Sequence, residues 1–440
     1  MLEDYKKLLS QFITFKSIST HTQYDNEMGK VVVWLKNLFT ARNFSTKILK
    51  GKLSNPVVFA SYKFNDRLPT VLIYGHYDVQ PASISDGWQT EPFKMAERKR
   101  KIFGRGIVDN KGQILIHIAS VFALIRQKSL GYNIKFLIEG NEETGNEDLP
   151  SIMVKNRNLL KCDFVLVSDG ELTNNKPTIE ISLRGGFNCT LTYISGKNNL
   201  HSGLAGGAVP NSAIELSKFI AKLYKPDGSI SYKNFYKDID KVDADQLENN
   251  KSLQKESGDI AKLMGVESLL MPKGVDFFTQ TGLSSTIQVT GFKSGYIDSG
   301  YSNIVPAAAE VRLNFRLAPS QNLSKVIRIF ERFVKANTPS YIKYKLVFSG
   351  PHNPVRLNTN NKFLISAEKV LTAVYKTKVN RRNVGGAIPF VGDVKRILGV
   401  DALLIPLVNE DCNMHGTDEN FDIDLIKKGL NFSQKFLSGR

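Results

Sequence analysis

Cysteine is scarce in this chain: Cys162, Cys189 and Cys412 are the only three in 440 residues, and no two form a CxxC pair. That excludes a disulfide framework and fits a reducing compartment. Long apolar runs are missing as well. No stretch approaches the roughly 18 residues that a membrane-spanning helix needs, and no apolar signal segment follows the charged opening Met1-Leu2-Glu3-Asp4-Tyr5-Lys6-Lys7. The expectation is a cytoplasmic protein with no membrane partner. Acidic residues are in deficit, 42 Asp and Glu against 59 Lys and Arg, for a net charge of +17. The excess is spread along the chain, its densest cluster (Arg98-Lys99-Arg100-Lys101) is short, and no DNA- or RNA-binding pattern accompanies it. No nucleic-acid partner is expected, and the lysines read as a solvated surface suited to anionic substrates.

With 42% hydrophobic residues, the chain can bury a large core, and its length implies two or three domains. Apolar spacing predicts helices over Tyr5–Phe15 and Met28–Phe39, then a strand over Val57–Tyr62. Strand Val71–Tyr74, helix Gly112–Arg126, strand Ile134–Ile138, helix Leu149–Asn158 and strand Phe164–Val167 follow. Such alternation is the pattern of a mainly parallel sheet, whose ligands gather beyond the strands' carboxyl ends. The texture changes at Leu183-Arg184-Gly185-Gly186. Strand Phe187–Ser195, helix Asn211–Tyr224, strands Ser285–Thr290 and Ala309–Leu317, helix Leu323–Ala336 and strand Ile342–Phe348 give an α+β sandwich, with 227–257 its least regular part. After Gly350-Pro351 the α/β texture returns with helix Lys362–Tyr375, strand Ala402–Leu407 and helix Ile423–Leu437. The economical division is a catalytic domain in two segments, 1–183 and 350–440, interrupted by an inserted domain, 184–349.

Four segments place carboxylates at or just after element ends: Gly75-His76-Tyr77-Asp78-Val79-Gln80, Gly104 to Gly112 around Asp109, Glu139 to Gly145 with Glu142 and Glu143, and Ser168-Asp169-Gly170. His415, in Asn413-Met414-His415-Gly416, adds a second imidazole. Imidazole and carboxylate suit divalent zinc, manganese or cobalt, and two such ions about 3.5–4 Å apart can share a bridging carboxylate. Such a centre needs one bridge, one terminal carboxylate and one imidazole per ion, and a spare carboxylate as general base. His76, Asp109, Glu142, Glu143, Asp169 and His415 fill that inventory. Taken singly, Asp109 reads as a helix N-cap and Asp169 as a turn residue; the set outweighs both.

These segments resemble the metallopeptidase M20 family, in particular its carnosinase-like dipeptidase branch. The resemblance also takes in Gly87-Trp88, Pro92-Phe93, Arg184-Gly185, Leu200-His201-Ser202-Gly203, Gly206-Gly207, Pro210-Asn211, Gly385-Gly386 and Ile388-Pro389, in order from residue 75 to residue 415. It implies an α/β fold: a mainly parallel-sheet, zinc-peptidase-like catalytic domain interrupted by an inserted α+β sandwich serving as lid and dimerisation domain. It implies two divalent ions per subunit, zinc first and manganese or cobalt as alternatives. His76 and Asp169 would hold one, Glu143 and His415 the other, and Asp109 would bridge them. Glu142 becomes the general base, and Asp78 orients His76. His201 reaches the active site of the other subunit of a homodimer to stabilise the oxyanion. Arg316 grips the substrate carboxylate, with Asn303, Gly385 and Gly386 completing the substrate site.

Three positions depart from the family pattern: Asn110 after the bridging aspartate, Asn383-Val384 before the two glycines, and Ala387 where a serine is usual. The alanine removes a hydroxyl near the substrate carboxylate and puts side-chain specificity in question. The implied activity is hydrolysis of the amide bond of a dipeptide or short peptide. An N-acyl-amino-acid deacylase with the same centre is the rival enzyme, and a catalytically silent binding protein the rival of another class. His201 also reads as an ordinary loop histidine and Arg316 as an ordinary strand arginine. Cys412 is set aside as structural, and His21, His117 and His352 receive no role.

Overall fold

The structure is a computed structural model describing residues 1–239 and 241–439; Asp240, within the polar stretch 227–257, and Arg440, at the end of the closing segment, lie outside the described residues. The chain divides into two compact units. Met1–Ile181, Leu357–Arg382 and Phe390–Arg440 make the first, and Ser182–Arg356 with Asn383–Pro389 the second.

In the first unit, helices α1 (Leu2–Ile13) and α2 (Asp25–Thr40) form where apolar residues recur at helical spacing, and each buries that stripe. Strands β1 (Ser45–Leu49), β2 (Val57–Tyr62) and β3 (Thr70–His76) lead to the long helix α3 (Lys111–Arg126) and strand β4 (Asn133–Glu139). The single helix expected over Leu149–Asn158 is two, α4 (Leu149–Lys155) and α5 (Arg157–Leu160). Asn156 ends the first by donating its side-chain N–H to the Ile152 carbonyl, 2.8 Å away. Strand β5 (Phe164–Val167) and strand β6 (Thr178–Leu183) complete this stretch.

The second unit is an antiparallel sheet with helices on one face. From Phe187 onward strand β7 (Gly185–Ile194) alternates, burying Phe187, Cys189, Leu191 and Tyr193. Helices α6 (Ser212–Leu223) and α7 (Ala244–Ser257) follow, then strands β8 (Thr286–Ser294) and β9 (Ala308–Leu317), helix α8 (Leu323–Asn337) and strand β10 (Lys343–His352). The sheet order is β8-β9-β7-β10. Phe219, Val326 and Phe330 from α6 and α8 share one core with the inward residues of β7 and β9. Helix α7 corrects the sequence reading, which left 227–257 irregular: Asp243 caps it, but it buries only Asn250 and Leu253. A helix with so narrow a buried face carries almost no periodic signal.

The returning chain adds helix α9 (Lys362–Tyr375), strand β11 (Asp401–Leu404) and helix α10 (Ile423–Leu437) to the first unit. Its sheet runs β1-β2-β4-β3-β5-β11-β6. The middle strands β4, β3, β5 and β11 are parallel, while the β1–β2, β2–β4 and β11–β6 pairings are antiparallel. This is an α/β fold with a mainly parallel sheet. The stretch Asn383–Pro389 belongs to the second unit although it falls within 350–440. A Cβ on Gly282 would lie 2.2 Å from the Asn383 carbonyl oxygen, so glycine permits that close approach. Arg184 Nε then donates to the Gly385 carbonyl at 3.2 Å.

Candidate metal centre

Parallel pairing places the carboxyl ends of β3, β4 and β5 along one edge of the sheet, where an α/β protein collects its ligands. His76 is the last residue of β3, in register with Glu139 of β4. Asp109 closes the loop before α3, with a cis peptide bond to Asn110. Glu142 and Glu143 open a single turn after β4, and Asp169 follows β5 by two residues. His415 arrives from the turn after β11, in a left-handed backbone conformation with φ of 61°. Two glycines permit the convergence: a Cβ on Gly75 would lie 2.5 Å from Asn110 Oδ1, and one on Gly140 2.3 Å from the Tyr77 ring.

The donor atoms form two groups that share Asp109. Its Oδ1 lies 3.0 Å from His76 Nε2, which is also 3.8 Å from Asp169 Oδ2. Its Oδ2 lies 2.7 Å from His415 Nε2, which is 3.2 Å from Glu143 Oε2. Within each triad, His76–Asp109–Asp169 and Asp109–Glu143–His415, the ligand atoms lie within 4.8 Å of one another. His76 Nε2 and Glu143 Oε1 are buried yet aligned for no hydrogen bond with protein. Orphaned buried atoms of this kind in a nest of carboxylates fit divalent cations, which would take up their lone pairs.

Electrostatics tell the same story from the proton's side. Burial alone would lower the His76 pKa, but Asp109 and Asp78 beside it raise it well above the usual imidazole range. Hydrogen bonds to Asp109 and Glu143 push His415 up to about 10. Asp109, although buried, is held well below the carboxylate range by the two histidines. Burial and the neighbouring Asp109 raise Asp169 to about 7. Glu142 is raised well above its ordinary value, by burial first; His76 opposes the shift, and Asp169, Asp109 and Asp78 add to it. Without metal, protons hold the places of cations.

Glu142 stands apart from its neighbour. Glu143 accepts from Gln80 Nε2 at 2.7 Å and sits against His415, whereas the Glu142 carboxylate belongs to neither triad and makes no hydrogen bond among the described residues. Asp78 ties these parts together. Its backbone carbonyl lies 3.0 Å from His76 Nδ1, and its carboxylate Oδ1 3.3 Å from the same nitrogen. The carboxylate also accepts the backbone N–H of Glu142 and of Glu143 and the hydroxyl of Ser19.

Further supporting residues escaped the sequence reading. Glu139, lifted to about 7 by burial, accepts from the Tyr74 hydroxyl and the Asn146 amide at the base of the Glu142 turn. His117 is wholly buried, kept neutral by desolvation, and bonded to Ser168 and Ser433. Arg105 and Glu419 form a buried ion pair at 2.7 Å under the Asp109 loop. Arg105 and Glu139 lie inside the segments 104–112 and 139–145 but were given no role there, Glu419 follows His415 by four residues, and His117 lies within the helix after Asp109.

The remaining candidates lie in the second unit. His201 is exposed on a two-residue strand, Leu200–His201, paired with Ile304–Val305, and its Nδ1 accepts the Gly203 N–H at 3.0 Å. The Asn303 carbonyl accepts the Ser202 N–H at 2.9 Å, so these two candidates share one small element. Arg316 is half-buried on β9 opposite Gly186, and with Arg184, Tyr224 and Tyr236 it lines a cleft of about 690 Å³. Burial, then Arg316, lowers the Arg184 pKa to about 10. A Cβ on Gly385 would lie 2.7 Å from Arg184 Nη2, while Gly386 is exposed beside it.

A model of Peptidase family M20/M25/M40 matches residues 72–439. The Cys-Gly metallodipeptidase DUG1 of Saccharomyces cerevisiae is 28% identical over 402 residues, covering 87% of this chain and 81% of that protein. The human Beta-Ala-His dipeptidase is 26% identical over 377 residues, covering 83% and 74%. Among solved structures, the M20 family metallo-carboxypeptidase Sso-CP2 from Sulfolobus solfataricus aligns with a TM-score of 0.89 at 27% identity, covering 99% of this chain and 98% of that one.

Proposed function

This chain belongs to peptidase family M20/M25/M40 and is a metal-dependent hydrolase of peptide bonds; from that premise we propose a dipeptidase whose centre holds two divalent ions, zinc first, on His76, Asp169, Glu143 and His415 with Asp109 as bridge. The observation that carries the two-ion reading is the division of Asp109, one oxygen directed at each histidine. Bound ions would lower the pKa of water towards about 7 and polarise the scissile carbonyl.

The protein's own residues do the rest. Glu142, whose carboxylate makes no hydrogen bond among the described residues, accepts the proton of the attacking water and returns it to the departing amine. Asp78 fixes the orientation of the His76 ring and, by accepting two backbone N–H groups, the turn that carries Glu142 and Glu143. His201 accepts on Nδ1, which leaves its proton on Nε2, the nitrogen free to donate to an oxyanion. Arg316 offers a planar fork for the substrate carboxylate, and Asn303, Gly385 and Gly386 complete the substrate site. The second unit serves as lid and dimerisation domain, and the enzyme works as a homodimer inside the cell. No helix among the described residues is long and apolar enough to cross a membrane.

Two experiments test this. Steady-state kinetics on Cys-Gly, β-Ala-His and other dipeptides, with N-acetyl amino acids beside them, should give turnover on dipeptides; activity confined to acetylated substrates would overturn the reading. The placement of His201 across a dimer predicts complementation. His201→Ala and Glu142→Gln are each nearly inactive alone, but mixed and re-associated they should recover roughly a quarter of wild-type activity, one competent site in half of the dimers. No recovery despite verified subunit exchange would place His201 in its own subunit's site or outside catalysis.

A further inference from the structure

We propose that Arg105, clamped by the buried Glu419, is the positioning residue of the His415 loop, and that it governs the metal affinity of the Asp109–Glu143–His415 half-site separately from the other. The proposal rests on the two-ion reading above and adds residues that the reading does not use.

Glu419 is fully buried, and both of its oxygens are fully engaged. Oε2 accepts from Arg105 Nη1 at 2.7 Å and from Gly106 N at 2.9 Å; Oε1 accepts from Val108 N at 2.8 Å and Asp109 N at 3.2 Å. One carboxylate therefore holds three backbone N–H groups of the loop that ends in the bridging ligand. Arg105, itself 3% exposed, uses its other terminal nitrogen on the opposite wall, donating from Nη2 to the carbonyls of His415 at 3.2 Å and Gly416 at 3.0 Å. Its guanidinium lies over the Trp88 ring, 5.2 Å from the centroid. The pair thus joins two ligand-bearing loops more than three hundred residues apart in sequence, through four atoms that touch no ligand side chain.

Apart from the shared Asp109, the ligands of the other half-site are held by different groups. The Asp78 carbonyl orients His76, and the Ser168 residue before Asp169 is fixed by Asn110, His117 and the Ile405 carbonyl. Nothing in that set depends on the Arg105 grip on His415. Residues that orient metal ligands without binding metal typically change affinity about 10- to 100-fold when replaced. Only His415, among the ligands, hangs on Arg105, so the loss should fall on one ion.

Arg105→Lys keeps a cation for Glu419 but places one ammonium where the guanidinium spans an anion and two carbonyls. Glu419→Gln keeps the shape but turns an amide N–H₂ towards backbone donors, since no carboxylate oxygen is spare. Both variants should be stripped of metal, titrated with zinc, and their bound ions counted by native mass spectrometry, with the thermal midpoints of the stripped proteins measured alongside. Wild type should bind two ions. Arg105→Lys should bind the first as wild type does and the second about 10- to 100-fold more weakly, whereas Glu419→Gln, which also loosens the Asp109 loop shared by both ions, should weaken both. Two ions bound by Arg105→Lys with wild-type affinity, or both weakened alike, would overturn the proposal. A purely structural role would lower the thermal midpoint and leave the ratio of the two affinities unchanged. Should Glu419→Gln fail to fold, Arg105→Lys decides alone. Wild type binding a single ion would defeat the two-ion reading instead.

Discussion

Glu142→Gln lowers kcat by about 100- to 10,000-fold while both ions remain bound. The substitution is nearly isosteric, Glu142 belongs to neither ligand triad, and its carboxylate holds no hydrogen bond among the described residues, so neither fold nor metal content depends on its charge. What the amide cannot do is accept a proton from water. The pH profile carries a second signature. Burial and three neighbouring carboxylates favour protonated Glu142, whereas positive charge in the triads favours the carboxylate. Wild-type kcat/KM should therefore rise with pH as Glu142 deprotonates, and that acid limb should vanish in the variant's residual rate. Kinetics across pH with metal analysis check both points; a fall of less than about tenfold with metal intact would remove Glu142 from proton transfer.

Asp109→Ala should abolish activity by emptying both half-sites, because each depends on a different oxygen of the same carboxylate. Metal analysis after dialysis should find neither ion retained; one ion held at wild-type affinity would refute the bridging assignment. The change also removes a pH dependence from the metal-free protein. The folded pKa of His415 is raised from 6.5 to about 10, so its stabilising contribution is full below 6.5 and is lost as pH rises through about 10. Thermal melts of metal-free wild type should fall across that window, and those of Asp109→Ala should be flatter. Because ions must displace the same protons, wild-type zinc affinity should strengthen as pH rises through this range.

Two of the candidate ligands drew notice because they stand at element ends marked by pattern: Val71–Tyr74 is apolar before His76, and Phe164–Val167 before Asp169. The helices over Lys362–Tyr375 and Ile423–Leu437 were legible for the same reason, each carrying an apolar stripe. What escaped lacks such a local signature. Ser19 matters because its hydroxyl meets Asp78, 59 residues on, and Glu419 because it meets Gly106, Val108 and Asp109 more than three hundred residues back. Hydrogen bonds across that separation leave no periodicity in sequence. Strand β1 escaped for another reason: at the sheet edge it fully buries only Leu49, so its alternation is faint.

The interruption of the first unit imposes an order of assembly on a growing chain. His76, Asp109 and Asp169 have all been made once synthesis passes residue 169, but His415 and Glu419 follow only after the whole second unit. At roughly 5–20 residues per second, that gap lasts some tens of seconds. During it, a nascent chain on the ribosome has the His76–Asp109–Asp169 donors complete and the other triad without its His415, so the proposed two-ion centre waits for the segment that carries His415.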